Sequence, residues 1–182
     1  MIIGISGKAG CGKSTLAEML TKNLGEQWIR MSLGDVVKKE AAEMFNFPLW
    51  MAYDSEAKKC VVYVKDVDRK MTIREILQYW GTDVRRKEDP DYWTKKLHEN
   101  VPADKHVIID DIRFVSEVEF VRNLGGKVFR LTAYNGYDPP AAGADHVSET
   151  ELDGYDSFDA VFTPAFGELG WVAAVMVAKS II

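Results

Sequence analysis

The sequence predicts an α/β fold: a parallel sheet of about five strands, helices on both faces, and an inserted helical lobe. Two observations lead there. "MIIGIS", "WIRMS", "HVIIDDIRF", "KVFRLTA" and "DAVFT" are short and apolar on both faces, as buried parallel strands are, and helical stretches separate them. Between residues 46 and 90 that alternation lapses, which marks an insertion. A chain of 182 residues, 47% of them hydrophobic, fits a single domain, 1–182, with the inserted lobe at 35–90.

Each element has its own signal. After the strand "MIIGIS" comes glycine-rich "GKAGCGKS", then Leu16, Ala17, Met19, Leu20 and Leu24 at helical spacing, with Gly25 as the stop. "WIRMS" is a second strand, and Asp35 is expected to N-cap a helix through "DVVKKEAAEMF". Pro48, a candidate strand "CVVYV" and turn-like "KDVDRK" fill the irregular stretch. Thr72-Ile-Arg-Glu75 is a capping box, so a helix starts at "TIREILQYW". Asp89 as N-cap and Pro90 at the first helical position start another through "EDPDYWTKKLHENV". "HVIIDDIRF" is the strongest strand and is taken as the central one. A helix from Ser116 stops at Gly125-Gly126, and "KVFRLTA" follows as a strand. "YNGYDPPAAGAD" reads as a loop, and 133–154 as a lid-like segment. "SETELDG" is a short helix, "DAVFT" the last strand, and "GELGWVAAVMVAKS" a buried last helix.

Gly7, Lys8, Ala9, Gly10, Cys11, Gly12, Lys13 and Ser14 fit G-x-x-x-x-G-K-[ST] without deviation, between a strand and a helix as the motif requires. Glycines let backbone N–H groups curl round a phosphate with no Cβ in the way. The helix dipole adds positive potential at the same point. Lys13 is expected to reach the β- and γ-phosphates of ATP, and Ser14 to hold Mg²⁺. This places the chain in the P-loop NTPase fold. Cys11 is read as a small filler whose backbone does the binding.

Composition narrows the partners. Subtracting 28 acidic from 23 basic residues leaves −5, which argues against nucleic-acid binding through many phosphate contacts. No run approaches the ~18 apolar residues of a membrane helix, so no membrane partner is expected. Cys11 and Cys60 belong to no CxxC or Cys/His cluster, which disfavours zinc and suggests a reducing, cytoplasmic setting. The N-K-x-D of GTPases is absent, which leaves a small kinase with a donor and an acceptor site.

Acceptor groups should lie near the C-terminal ends of the strands. Gly34 and Lys38 follow the second strand. Arg74, Gln78, Thr82 and Arg85 share one face if their helix continues past Gly81, whereas Arg86 falls about 100° round. Guanidinium forks suit phosphate, and a side-chain amide suits a base edge. Which of Arg85 and Arg86 grips phosphate stays open. Asp110 and Asp111 end the strongest strand, where carboxylates hold Mg²⁺ directly or through water. Arg113 is placed to neutralise charge between donor and acceptor.

"GKAGCGKST", "SLGDVVKKEAAE", "TIREILQYWGTDVRR", "DDIRFVSEVEFVRNLGGKVFRL" and "HVSETEL" together resemble the deoxynucleoside monophosphate kinases of tailed bacteriophages and prophages. The resemblance runs through most of residues 1–154. It implies that Gly7 to Thr15 bind ATP. It implies that Gly34, Lys38, Arg74, Gln78, Thr82 and Arg85 or Arg86 hold the acceptor, with Asp110, Asp111 and Arg113 between the sites. Lys13, Arg113 and Asp110 are the implied catalytic residues, and Ser14 and Asp110 the implied metal ligands. Glu117, His146, Ser148 and Glu149 occupy motif positions whose roles the sequence does not reveal. Relatives of the adenylate-kinase type carry lid arginines, but no arginine follows Arg130 here. That role falls to Arg113, Arg122, Arg130 or the lobe arginines. "TPAFGE" replaces an asparagine-containing turn near the adenine.

The resemblance implies Mg²⁺- and ATP-dependent phosphorylation of a (deoxy)nucleoside 5′-monophosphate to the diphosphate, with ADP released. The enzyme would be a monomer or homodimer in the cytoplasm, the host's if phage-encoded. Two alternatives stand beside it. One is a kinase of another phosphorylated acceptor, such as phosphomevalonate or dephospho-coenzyme A. The other is a nucleotide-binding regulatory ATPase.

Overall fold

A computed structural model describes residues 1–132, 147–163 and 168–182. The expected loop "YNGYDPPAAGAD", His146, most of the lid-like segment and the turn at 164–167 lie outside the described residues. The described strands are β1 (Ile2–Ser6), β2 (Trp28–Met31), β3 (Val61–Val64), β4 (Arg69–Thr72), β5 (His106–Ile112), β6 (Lys127–Leu131) and β7 (Ala160–Phe162). The α-helices are α1 (Lys13–Leu24), α2 (Leu33–Met44), α3 (Ile73–Gln78), α4 (Tyr92–Glu99), α5 (Val115–Asn123), α6 (Val147–Thr150) and α7 (Glu168–Ile181). They form two compact units: Met1–Ser32 with Asn100–Ile182, and Leu33–Glu99.

The first unit is a five-stranded sheet in the order β2-β5-β1-β6-β7, parallel throughout. β1, not β5, is the central strand, so the most apolar run stands one place from the middle. Side chains alternate along β1. Ile3 and Ile5 join the fully buried cluster with Leu16 and Leu20 of α1 and Ala178 of α7. A Cβ on Gly4, which points the other way, would meet Val121 of α5 at 3.4 Å. The sheet thus carries helices on both faces. Each large aliphatic side chain buried there contributes roughly 1.5–3 kcal/mol relative to exposure. The last helix is only half-buried: Val172, Met176 and Val177 are exposed while Ala174, Val175 and Ala178 face the core.

The second unit is less purely helical than its sequence suggests. Val61–Val64 of "CVVYV" pairs with Arg69–Thr72 across a turn through Lys65–Asp68 as the antiparallel hairpin β3–β4, with Val61 opposite Thr72 and Val64 opposite Arg69. Asp68 makes its turn at φ 50°, in the left-handed region that short polar side chains tolerate. α2 starts at Leu33, so Asp35 sits in its first turn and not at the N-cap. There its carboxylate still faces the positive end of the helix dipole. The Thr72 capping box forms as expected, with Glu75 N–H donating to the Thr72 hydroxyl at 3.1 Å. α4 starts at Tyr92 instead of Pro90, because the Asp89 carboxylate first accepts from Asp91 N in a turn at 3.0 Å. The unit runs on to Glu99, past the expected limit of 90, since Trp93 and Leu97 of α4 are buried in it.

The largest departure follows α3. From Tyr79 to Arg86 the chain is a π-helix. Gly81 is its third residue, and a Cβ there would stand 3.2 Å from Val37 of α2. The Gly81 carbonyl accepts from Trp93 Nε1 at 2.8 Å. Gly81 therefore serves close packing against α2 and bonds α4 through its carbonyl.

One carboxylate gathers this unit. Glu40 of α2 accepts from Trp80 Nε1 at 3.0 Å, Arg85 Nε at 2.9 Å, Tyr92 Oη at 2.9 Å, and Lys96 Nζ. Burial alone would raise the Glu40 carboxyl, but the hydrogen bonds from Lys96, Tyr92 and Arg85 hold it below the usual carboxylate range. A depressed carboxyl stabilises the fold above its unfolded pKa, and that stability is lost as pH falls through the folded one. Glu40→Gln should cost about 1–3 kcal/mol at pH 7, the scale for breaking hydrogen bonds to charged groups. Thermal melting of both proteins from pH 7 to pH 3 should show the gap narrowing in acid. A gap independent of pH would contradict the network.

Candidate active site

The phosphate loop joins β1 to α1. Gly7 has φ 149°, and a Cβ there would stand 2.4 Å from the Leu131 carbonyl oxygen and 2.7 Å from Cys11 Sγ. Gly12 has φ 96°, and its Cβ would stand 2.4 Å from Trp171 Cη2 of α7. Only glycine fits either position. Cys11 is buried beneath the loop, as a filler should be. Lys13 begins α1 and is itself buried, with Nζ donating to the Lys8 carbonyl at 2.6 Å. Burial pulls the Lys13 ammonium below the usual lysine range and Arg113 adds to this, while Cys11, Asp111 and Asp110 act in the opposite sense. An arriving anion relieves such a site, because it restores a partner to a desolvated cation.

Behind the loop stands Asp110 of β5. Its Oδ2 accepts from the Ser14 hydroxyl at 2.8 Å and from Arg30 of β2 at 2.8 Å (Nε) and 2.7 Å (Nη2). Its Oδ1 is buried and has no hydrogen-bond partner among the described residues. A buried carboxylate oxygen left open beside a serine hydroxyl is a donor set that suits a hard divalent cation. Asp111 is engaged differently: its Oδ2 accepts from the Ser32 hydroxyl at 2.7 Å. Neither aspartate caps the next helix. That task falls to Glu117, whose Oε2 accepts from Arg113 N at 2.7 Å and Phe114 N at 3.1 Å.

Arg113 follows β5 directly. Its Nη1 donates to the Glu149 carboxylate and, at 3.4 Å, to the Ser148 carbonyl. Lys8 of the loop reaches the same segment, donating to the Glu149 carbonyl and to Asp153 Oδ2, each at 2.5 Å. Arg130 of β6 donates to Ser6 Oγ at 3.0 Å and to Asp153 Oδ1 at 3.4 Å. Arg122 instead bonds Tyr155 Oη at 2.9 Å and the Ser157 carbonyl.

The remaining predicted acceptor groups belong to the second unit. Gly34 lies in the first turn of α2. Lys38 bonds Asp35 at 2.9 Å and stands 4.3 Å from the centre of the Tyr53 ring. Burial lowers the Lys58 ammonium below the usual lysine range, and the nearby charges of Lys38 and Arg74 lower it further. The pitch of the π-helix decides the rest. Its i→i+5 bonding takes more residues per turn than an α-helix, so positions four and eight apart stay aligned. Gln78, Thr82 and Arg86 therefore follow one side, and Arg85 turns away. This corrects the expectation that Arg85 extends the Arg74–Gln78 face. Arg85 is committed to Glu40 and stacks 4.4 Å from the Trp80 ring and 4.8 Å from that of Tyr92. Arg86 is half-buried, with Nη1 donating to the Pro90 carbonyl at 3.3 Å.

Two cations here were not anticipated from sequence. Arg30 had a signal, a charged residue inside the apolar strand "WIRM". Lys58 had none, because it lies in the irregular stretch and only folding brings it to Lys38 and Arg74.

The loop, the β5 carboxylates and the parallel sheet define a P-loop nucleotide-binding protein. Solved structures agree on the fold. Shikimate kinase from Bacteroides thetaiotaomicron aligns with a TM-score of 0.52 at 14% identity, over 100% of this chain and 97% of that one. Shikimate kinase from Aquifex aeolicus aligns with a TM-score of 0.53 at 14% identity, over 99% of this chain and 96% of that one. Sequence is more specific. The deoxynucleotide monophosphate kinase family matches residues 49–163. The ATPase family associated with various cellular activities matches residues 3–88, which hold the loop. A protein of Acanthamoeba polyphaga mimivirus whose name is that of the first family is 32% identical over 88% of this chain and 86% of its own length. The chain belongs to the deoxynucleotide monophosphate kinase family.

Gly12→Ala tests the loop geometry. Added strain of roughly 1–3 kcal/mol is expected where a side chain is forced to positive φ. The variant should melt lower and bind a fluorescent ADP analogue at least about tenfold more weakly. Unchanged binding would show that the loop tolerates a Cβ against Trp171.

Proposed function

We propose that this protein transfers the γ-phosphoryl group of ATP to a deoxynucleoside 5′-monophosphate, giving the diphosphate and ADP. The observation that carries the reading is the Ser14–Asp110 pair behind a complete phosphate loop, in a chain of this family. In the reading, loop N–H groups from Gly7 to Thr15 cradle the ATP phosphates and Lys13 neutralises them. Ser14 and Asp110 would hold Mg²⁺, which supplies positive charge to the β- and γ-phosphates. A phosphate oxygen of the monophosphate attacks the γ-phosphorus, the bond to the β–γ bridging oxygen breaks, and the electron pair leaves on ADP. The attacking oxygen is already anionic and needs no strong base. Alignment and charge neutralisation by Lys13 and Arg113 supply the catalysis.

Acceptor recognition is assigned to the second unit. Lys38, Lys58, Arg74 and Arg86 offer cations for the monophosphate, and Gln78 offers an amide for a base edge. Gly34 and Thr82 line the same approach, and Asp111 orders the strand end through Ser32. Arg85 supports this set from Glu40 and makes no phosphate contact. Nucleotides, and neither nucleic acid nor a membrane, are the partners in this reading, with a cytoplasmic setting. No helix among the described residues is long and apolar enough to cross a membrane.

Purified protein given ATP, Mg²⁺ and a panel of deoxynucleoside and ribonucleoside monophosphates should release ADP only when an acceptor is present. Lys13→Ala should abolish release. Arg86→Ala and Lys58→Ala should each raise the acceptor KM about tenfold or more with smaller changes in kcat, as expected when a charge-assisted contact to bound substrate is removed. ADP release indifferent to acceptor would favour a regulatory ATPase. Release with phosphomevalonate or dephospho-coenzyme A alone would favour another acceptor class.

A further inference from the structure

We infer that Glu149 is a positioning residue: its carboxylate holds the Arg113 guanidinium by one edge, so that the other faces the phosphates. The inference rests on the reading of Arg113 as a transfer-site residue given above. Two independent anchors fix Arg113. Its backbone N–H is bound by the carboxylate of Glu117, which is 1% exposed. Its guanidinium is bound through Nη1 alone, by the Glu149 carboxylate and the Ser148 carbonyl. Nε and Nη2 make no hydrogen bond among the described residues. A guanidinium carries five N–H donors in a fixed plane, so gripping Nη1 sets the direction of the others. Arg113 lies close enough to Lys13 for its charge to lower the Lys13 ammonium, alongside the opposing charges of Asp110 and Asp111.

The pairing is sheltered, with side-chain exposure of 31% for Arg113 and 14% for Glu149. A carboxylate this close could instead compete with ATP for Arg113. The geometry favours support over competition, because the contact spends one nitrogen of the fork and leaves two donor nitrogens. The local chain also separates two functions on one residue. The backbone carbonyl of Glu149 accepts from Lys8 of the phosphate loop, whereas only its side chain touches Arg113. Side-chain substitution therefore removes the Arg113 contact and leaves the Lys8 contact in place. This gives the "SE" of "HVSETEL" a physical task at both of its residues: Ser148 through its carbonyl and Glu149 through its carboxylate.

The test is a double-mutant cycle on Glu149→Ala, Arg113→Ala and the pair, with Glu149→Gln as the conservative variant. Steady-state kcat, KM for ATP and acceptor, and thermal melting are measured for each. Glu149→Ala should lower kcat about ten- to hundredfold, the range for losing a hydrogen bond to a charged group. KM for ATP should stay within about threefold, since Lys8 keeps its partner. Glu149→Gln retains an acceptor oxygen and should recover part of kcat. The double variant should be no slower than Arg113→Ala, because a residue acting through another adds nothing once that other is gone. Equal additive losses, or a kcat unchanged in Glu149→Ala while Arg113→Ala is slow, would overturn the inference. A kcat unchanged in Arg113→Ala would overturn it at the earlier step, by removing Arg113 from the transfer site. A faster Glu149→Ala would show competition with the phosphates in place of support.

Discussion

The hydrogen bond from Ser14 to Asp110 is the constraint on which the first unit's chemistry depends. It ties the phosphate loop after β1 to the end of β5, so the loop cannot shift without disturbing the neighbouring strand. Arg30 of β2 closes the same carboxylate from the other side. Three strands of one sheet thereby set the place of one oxygen, Asp110 Oδ1, which is buried and has no hydrogen-bond partner among the described residues. Leaving a buried carboxylate oxygen unsatisfied costs about 1–3 kcal/mol. A fold tolerates that cost where a ligand will later satisfy the group.

In the second unit Glu40 has the corresponding place. Four donors from the π-helix and α4 converge on it, and the π-helix is where the chain accommodates them. An α-helix would set Trp80 and Arg85 on different sides. The i→i+5 pitch sets them together, both on Glu40, with Arg86 on the side of Gln78 and Thr82. The two adjacent arginines of "WGTDVRR" thus divide their work: Arg85 holds the unit together through Glu40, and Arg86 bonds the Pro90 carbonyl.

Local features were legible in the sequence. The phosphate loop was, because its contacts are made by its own backbone and its glycines are needed for positive φ at Gly12 and for the close approach at Gly7. The Thr72–Glu75 capping box was, because its partners are three residues apart. The strands β1 and β5 were, because burial on both faces writes a largely apolar run. What was not legible depended on partners far along the chain. The π-helix needs Val37 and Trp93 around Gly81, so helical counting misassigned Arg85. Arg30 meets Asp110 only across β2 and β5. Lys58 comes within electrostatic reach of Lys38 and Arg74 only after the irregular stretch has folded. The task of Glu149 appears only once α6 lies beside Arg113.

The fate of the γ-phosphate tests the central claim most directly. ATP labelled with ³²P at the γ-position is incubated with the protein, Mg²⁺ and each deoxynucleoside monophosphate in turn, and the products are separated. The account predicts label in the deoxynucleoside diphosphate, equal in amount to the ADP formed. Label appearing chiefly as inorganic phosphate, or equally with and without acceptor, would contradict it.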